Sequence, residues 1–319
     1  MRGLRVAATI LTFVLAAGAT ALAQGRQTTR FVVPLAAGGS YDLMARLMAD
    51  KLSQKGGAVV VENQAGAGMV TGGNTVAQSA PDGQTIGLLL SPITVQPALI
   101  DKMPFDIAKD LAPVTLIGWN YNVLVVSPSL NVSTVAELVA YLKANPDKVN
   151  FGSGGNATPA HLAGELFKIA TGTQMQHVPY RGIVLAIQDM LADRIQVIFG
   201  NAPDVAPHIE AGKMKALAVV GPRRLDSMPN VPSMVELGLP QINVPAWAGI
   251  AVAGNTPKDV VARLRQDMLE VLALPDVKQR LAANNTVLET STPEEFHKLI
   301  VADIERWGRV VREAKISVK

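Results

Sequence analysis

The sequence predicts an α/β fold of mostly parallel sheets with helices on both faces, arranged as two lobes joined by two crossover strands. Three observations carry this. Short β-rich apolar runs alternate with segments of helical period nearly to the end of the chain. Charged residues make up 17% of the chain, below the roughly 25% of an average domain, as expected when strands are apolar throughout because both faces are covered. Trp119-Asn120-Tyr121-Asn122 precedes one apolar strand and Asn243-Val244-Pro245-Ala246-Trp247 precedes another. If both are crossovers, the chain enters a second lobe near residue 124 and returns near 246. This gives one lobe from residues 24–123 plus 246–319 and a second from 124–245, with a ligand held between them at the strand ends.

The first 23 residues are set aside. Arg2 and Arg5 precede the uncharged run 6–22, and Ala21-Leu22-Ala23 places small residues where a signal peptidase reads, so cleavage is expected before Gln24 and the mature protein is expected in the periplasm. The run is short for a bilayer span. About 300 residues remain, enough for two lobes with a substantial core each.

The elements follow in order. Residues 31–34 form a strand, and the helix 41–54 carries Leu43, Met44, Leu47, Met48 and Leu52 on one face. Strand 59–61, a glycine-punctuated helix through Asn74 to Gln78, the turn Pro81-Asp82-Gly83 and strand 86–90 come next. Strand 123–126 leads to a helix opened by the capping box Thr134-x-x-Glu137, with Val135, Leu138, Val139 and Leu142 on its inner face. Strands are expected at 150–152, 176–178, 197–199 and 217–220, with helices at 159–170 and 183–192 between them. Thr256-Pro257 and Thr292-Pro293-Glu294-Glu295 open the last two helices as cap-plus-proline starts.

Composition excludes several functions. Removing Arg2 and Arg5 from 29 basic residues leaves 27 against 26 acidic, a net charge of +1. With no basic stripe interleaved with aromatics, nucleic acid is not an expected ligand. The chain has no cysteine, hence no lipid anchor, thiolate metal site or cysteine nucleophile. His161, His177, His208 and His297 show no metal-ligand spacing, and His161 reads as a hydrogen-bonding helix residue. No Gly-x-Ser-x-Gly elbow or Gly-Lys-Ser/Thr loop occurs. Gly66-Ala67-Gly68-Met69-Val70-Thr71 lacks the third glycine of a dinucleotide fingerprint. No cofactor, metal or catalytic residue is expected, and the protein is read as a non-enzyme.

The sharpest local feature is the turn Ala37-Gly38-Gly39-Ser40-Tyr41-Asp42 between the first strand and helix. Glycines allow backbone N–H groups to converge into a nest, and the helix adds its unpaired N–H groups and positive dipole end. An ordinary connection with Ser40 as helix cap reads equally well from these residues alone. A second turn, Ser153-Gly154-Gly155-Asn156-Ala157-Thr158-Pro159, follows the strand at 150–152, with Thr158 as cap. Two such turns, one per lobe, suit a ligand with a carboxylate at one end and a polar group at the other.

With these residues quoted, the chain resembles the substrate-binding receptors of tripartite tricarboxylate transporters, the Bug or TctC-like family. The resemblance spans the turn at 33–42, Val60-Val61-Glu62-Asn63-Gln64-Ala65-Gly66-Ala67-Gly68, Ala80-Pro81-Asp82-Gly83, the turn at 153–162, His177-Val178-Pro179-Tyr180-Arg181-Gly182, Pro207-His208-Ile209 and Thr256-Pro257. It implies a two-lobed, type II-like periplasmic binding protein fold that closes on a small carboxylate. Gly38, Gly39, Ser40, Tyr41 and Asp42 would hold one carboxylate. Ser91, Ser153, Asn156, Ala157, Thr158, Arg181, Gly182, Ile183, Gly200, Asn201 and Trp247 would complete the site. The partner implied is a membrane permease served by a monomer, and a sensor kinase is the alternative. Three positions depart from the family pattern: Tyr41, Ile183, and Gly200 where many members place an aspartate. Loss of that acceptor argues for a di- or aromatic carboxylate without an amine.

Overall fold

The computed structural model describes residues 28–313 and 316. The expected export signal lies outside the described residues. Strand β1 (Thr29–Val33), helix α1 (Ser40–Gly56), β2 (Val59–Asn63), α2 (Val70–Ala77), β3 (Thr85–Leu90) and β4 (Leu111–Asn120) come first. Then follow β5 (Asn122–Val126), α3 (Val135–Ala144), β6 (Asn150–Ser153), α4 (Pro159–Thr171), β7 (Gln176–Pro179), α5 (Ile183–Leu191), β8 (Val197–Asn201), α6 (Ala202–Glu210) and β9 (Lys215–Val220). The chain closes with β10 (Ala246–Ala253), α7 (Lys258–Ala273), α8 (Pro275–Ala283), β11 (Val287–Leu288) and α9 (Pro293–Glu313).

Among the described residues these strands form two sheets, ordered β11-β4-β10-β3-β1-β2 and β7-β6-β8-β5-β9. The order β2-β1-β3-β10-β4 in the first repeats as β7-β6-β8-β5-β9 in the second, although the sequence carries no internal repeat. The turn after β1 and the turn after β6 are therefore topologically equivalent. Each follows a strand flanked by its successor on one side and the next strand on the other, which is the switch point where α/β sheets bind ligands.

Most strands of each sheet run the same way, β1 to β4 in the first and β6 to β9 in the second, as expected, and a reversed crossover strand makes each sheet mixed. β1 runs parallel to β2 and β3, and β6 to β7 and β8. The strands at the crossovers run antiparallel to their neighbours: β10 to β3 and β4, and β5 to β8 and β9. Sequence patterning could not show this, because strands covered on both faces lose the polar alternation of a half-buried strand. β3, β5 and β10 are buried at every position.

Register places the crossovers. Ala246 pairs with Asn120, and Ala248 with Leu90 at the end of β3. Asn122 pairs with Asn201 at the end of β8. The links through Tyr121 and into Ala246 thus lie at the carboxyl edges of the parallel strands in both sheets, on the side of the two glycine-rich turns. The second sheet takes in Asn122 and Val123, two residues before the boundary expected.

Local starts follow the sequence with two exceptions. Thr134 and Thr292 accept from Glu137 N and Glu295 N at 3.1 and 3.2 Å. Glu295 completes its box on Thr292 N (2.8 Å), whereas Glu137 accepts from Ser133 N (2.6 Å), one residue outside the cap. Thr256 caps nothing: its hydroxyl donates to Ala253 O (2.7 Å), and Pro257 stands at the N-cap of α7.

Helices cover both faces of each sheet. In the first sheet, Met44, Met48, Met268 and Val271 cover one face and Phe105, Phe296 and Ile300 the other. Gly249 on β10 has no side chain because a Cβ there would lie 2.3 Å from the Phe296 ring. The core of the second sheet holds Phe151, Phe167 and Phe199 together with Trp307, Val310 and Val311 of α9. Helix α9 therefore begins in one core and ends in the other, so residues 246–319 do not all pack with the first sheet.

Candidate functional site: a cleft between the carboxyl edges of two sheets

The first turn is shaped by Asp42. Its carboxylate, 2% exposed, accepts from Gly38 N (2.8 Å), Arg46 Nε (3.0 Å) and Asn63 Nδ2 (2.8 Å). The Arg46 guanidinium, with Gly38 and Asn63 acting against the cost of burial, holds the Asp42 carboxyl at about 2. Asp42 therefore faces into the turn, fixing it rather than touching a ligand, contrary to the sequence expectation. Gly38 takes the left-handed conformation at φ +92°. Gly39, at φ −77° and ψ 169°, is the N-cap of α1 and has no side chain with which to cap it. Ser40 is thus the first helical residue, one position past the N-cap. The first N–H groups of α1 open next to two glycines whose α-carbons have free space around them.

The second turn is built differently. Ser153, fully buried, donates to Gly155 O (2.9 Å), accepts from Gly155 N (3.1 Å) and bonds His177 Nε2 (2.7 Å). Ala157, also buried, sits at φ +59°, and its N–H donates to His161 Nδ1 (3.0 Å). Thr158 caps α4 through His161 N (3.4 Å). The His161 and His177 rings stack with centroids 3.8 Å apart. Burial first, then the neighbouring His161, pushes His177 down to about 3. These histidines, sixteen positions apart on different elements, buttress the turn. Among the described residues no group of three or more histidines or acids could hold a metal.

The start of α5 lies against this turn: a Cβ on Gly154 would be 3.2 Å from Ile183 N. Gly182, at φ +120°, is the N-cap of α5 and again supplies no capping side chain. Ile183 is half-buried against the second-sheet cores, and Arg181 and Asn156 are exposed. Ser91 is buried at the end of β3, where its carbonyl accepts from Thr94 Oγ1 (2.7 Å).

The two sheets meet at a cavity of about 180 Å3 lined by Tyr41 and Met44 of α1, Asn120, Asn201, Pro203, Asp204, Asn284 and Thr286. Tyr41 approaches Asn120 Oδ1 at 3.5 Å. Burial, and then the Asp204 carboxylate, pushes the Tyr41 phenol up to about 12. A larger depression, about 790 Å3 beside Lys109, Arg265 and Lys298, lies by Leu111 and Thr256. That is the opposite edge of the first sheet, away from both turns and both crossovers, so the smaller cavity marks the cleft.

Two further site expectations need correction. Trp247 is fully buried and packs edge-on against Phe296 at 5.1 Å, with Nε1 donating to Asp303 Oδ2 (2.6 Å). It belongs to the core and not to the cleft wall. Gly200 faces inward as well, since a Cβ there would stand 2.6 Å from Val205 Cγ1. Its lack of a carboxylate takes nothing from the cleft, and Asp204 supplies one instead. Asn120, Asp204 and Thr286 were missed as site residues. Asn120 stood within a crossover quoted for its position, and α6 was hidden by Pro203 and Pro207.

Two α/β sheets of the same strand order, two crossovers and a cleft at their carboxyl edges define a solute-binding receptor. The chain belongs to the tripartite tricarboxylate transporter receptor family, matching it over residues 44–316. It is 35% identical over 293 residues to the protein BugT of Bordetella pertussis, covering 91% of this chain and 90% of that one. Among solved structures it is similar to a periplasmic transporter at 37% identity and a TM-score of 0.79, covering 92% and 98% of the two chains. Rpa4515 of R. palustris, solved with adipate, is 29% identical with a TM-score of 0.79, over 91% and 98%. MatC of Rhodopseudomonas palustris, solved with malate, is 27% identical with a TM-score of 0.75, over 89% and 99%. The chain is therefore a Bug-type periplasmic solute-binding receptor and not an enzyme. Among the described residues no helix is long and apolar enough to cross a membrane.

Proposed function

We propose that this receptor captures a small organic carboxylate, a di-, tri- or aromatic acid, between its lobes and delivers it to the permease of a tripartite tricarboxylate-type transporter. The observation that carries the reading is the start of α1. Its N-cap is a glycine without a capping side chain, and Gly38 beside it is held left-handed by Asp42. Free N–H groups at a helix N-terminus attract an anion without any cationic side chain. In this reading Gly38, Gly39 and Ser40 present backbone to one carboxylate, while Asn156, Gly182 and Ile183 face the rest of the ligand. The adipate and malate carried by two structural relatives support the ligand class.

A thermal-shift screen of di-, tri- and aromatic carboxylates tests it. Ligand at a hundred times its dissociation constant stabilises by about 2.7 kcal/mol, a shift of a few degrees. Flat melting curves across all three classes would refute the proposal.

A further inference from the structure

The cavity between Tyr41 and Asp204 has a polarity opposite to that of the turns beside it. On the first-sheet side, Asn120 spends its amide N–H groups on Asn284 O (3.2 Å) and Thr286 Oγ1 (3.0 Å). Its Oδ1 accepts from the Tyr41 hydroxyl (3.5 Å) and from Thr286 Oγ1 (3.4 Å). On the second-sheet side, Asn201 Nδ2 donates to Asp204 Oδ2 (3.0 Å). The donors on this wall are therefore largely engaged, as is Asn120 Oδ1, while the Asp204 carboxylate and the phenol oxygen of Tyr41 remain as acceptors. Among the described residues no lysine or arginine lines the cavity, and Asp204 forms no ion pair. Burial pushes the Asp204 carboxyl above its ordinary range, with only the Asn201 amide acting against it.

A second carboxylate entering this space would meet a like charge in a partly dehydrated cavity with no cation to offset it, which is costly. A group bringing an N–H or O–H would instead satisfy acceptors that face each other across the interlobe boundary. We infer that Asp204 is a specificity-determining residue: it makes the Tyr41–Asp204 cavity a subsite for a hydrogen-bond donor, a hydroxyl or ammonium, on a ligand whose carboxylate lies at the glycine-rich turn. This rests on the receptor reading above and narrows its ligand class to substituted acids.

The test uses acids matched in carbon skeleton and differing only in the donor. Succinate, malate and aspartate form one set; phenylacetate, mandelate and phenylglycine form the other. Affinities are measured by titration calorimetry on the wild-type protein and on Asp204→Asn, with melting temperatures checking that the variant folds. In whichever set binds, the hydroxy or amino acid is expected to bind about ten- to a hundredfold more tightly than the unsubstituted acid, as for one hydrogen bond to a charged group. Asp204→Asn is expected to shrink that gap below about threefold and to tighten the unsubstituted acid. The hydroxy and amino arms separate the two donor types. Equal affinities within a set, or a gap that survives in Asp204→Asn, overturns the inference while leaving the receptor reading intact. Failure of every acid in both sets and in the wider carboxylate screen overturns both.

Discussion

Replacing Asp42 by asparagine changes one atom in a buried carboxylate and should be felt at both the turn and the fold. The two carboxylate oxygens receive three N–H donors, from Gly38, Arg46 and Asn63. An amide of the same shape offers one acceptor oxygen and turns an NH2 toward a donor. If the oxygen stays on Gly38 and Arg46, the new amide faces Asn63 Nδ2. Flipping Asn63 to compensate sacrifices its bond to Leu35 O (3.1 Å) and the one its Oδ1 accepts from Arg46 Nη2 (2.9 Å). One charge-assisted hydrogen bond is lost in either arrangement, about 1.5–3 kcal/mol. The Arg46 ion pair adds little, because its side chain is 48% exposed. Urea denaturation of Asp42→Asn should therefore show a lowered midpoint at an unchanged slope. With Gly38 N–H left on a neutral amide oxygen in place of a carboxylate, the turn is held less firmly and carboxylate affinity should fall at least about tenfold by titration calorimetry. The pH dependence has a definite sign. A carboxyl held at about 2 in the fold contributes stability that is present above its unfolded value and lost as pH falls toward 2. The variant should have a flatter acid limb. Unchanged midpoint and unchanged affinity together would show that Asp42 does not shape the turn.

Three further outcomes are expected. Gly38→Val forces a β-branched residue to φ +92° and should cost about 1–2 kcal/mol and weaken carboxylate binding, whereas Gly39→Ala, at φ −77° with open space around it, should leave stability nearly unchanged in the same urea assay. His177, kept neutral in the fold down to about 3 but protonating near 6.5 when unfolded, should make stability fall as pH drops from 6.5 toward 3. His177→Gln should remove that slope from a plot of urea midpoint against pH. Trp247→Phe strips the buried Asp303 of its indole donor and should cost about 1–3 kcal/mol in denaturation, with carboxylate affinity unaltered in calorimetry.

What could be read from the chain and what could not divides along physical lines. The two glycine-rich turns, the cap at Thr158 and the capping box at Thr292 are local, decided within about four residues of backbone, and all four stand where the sequence puts them. The antiparallel entry of β5 and β10 was invisible, because strands buried on both faces carry no alternation to betray their direction. Asn120 and Thr286 bond across 166 positions and Trp247 reaches Asp303 across 56, so no short-range pattern could announce either pair. Gly200 misled for a related reason: the direction of its α-carbon depends on Val205 in a helix broken up by prolines in the sequence. The turns that frame the candidate cleft were legible because backbone chemistry makes them, and the cavity wall was not, because side chains from distant segments meet there.

Helix α9 has a bearing on how the chain reaches its native state. Phe296 and Ile300 fill the core of the first sheet, Trp307, Val310 and Val311 fill that of the second, and Arg306 binds the carbonyl of Asn243 in the returning crossover. The strands of the second sheet lie between residues 122 and 220, so its core waits for side chains made nearly a hundred residues later. Neither core can be finished from the N-terminal side alone. A chain emerging progressively into a new compartment would hold both lobes incomplete until this last helix arrived, and would then consolidate them in one step. High sequence separation of this kind slows folding. Here it also gives the two lobes a common final event.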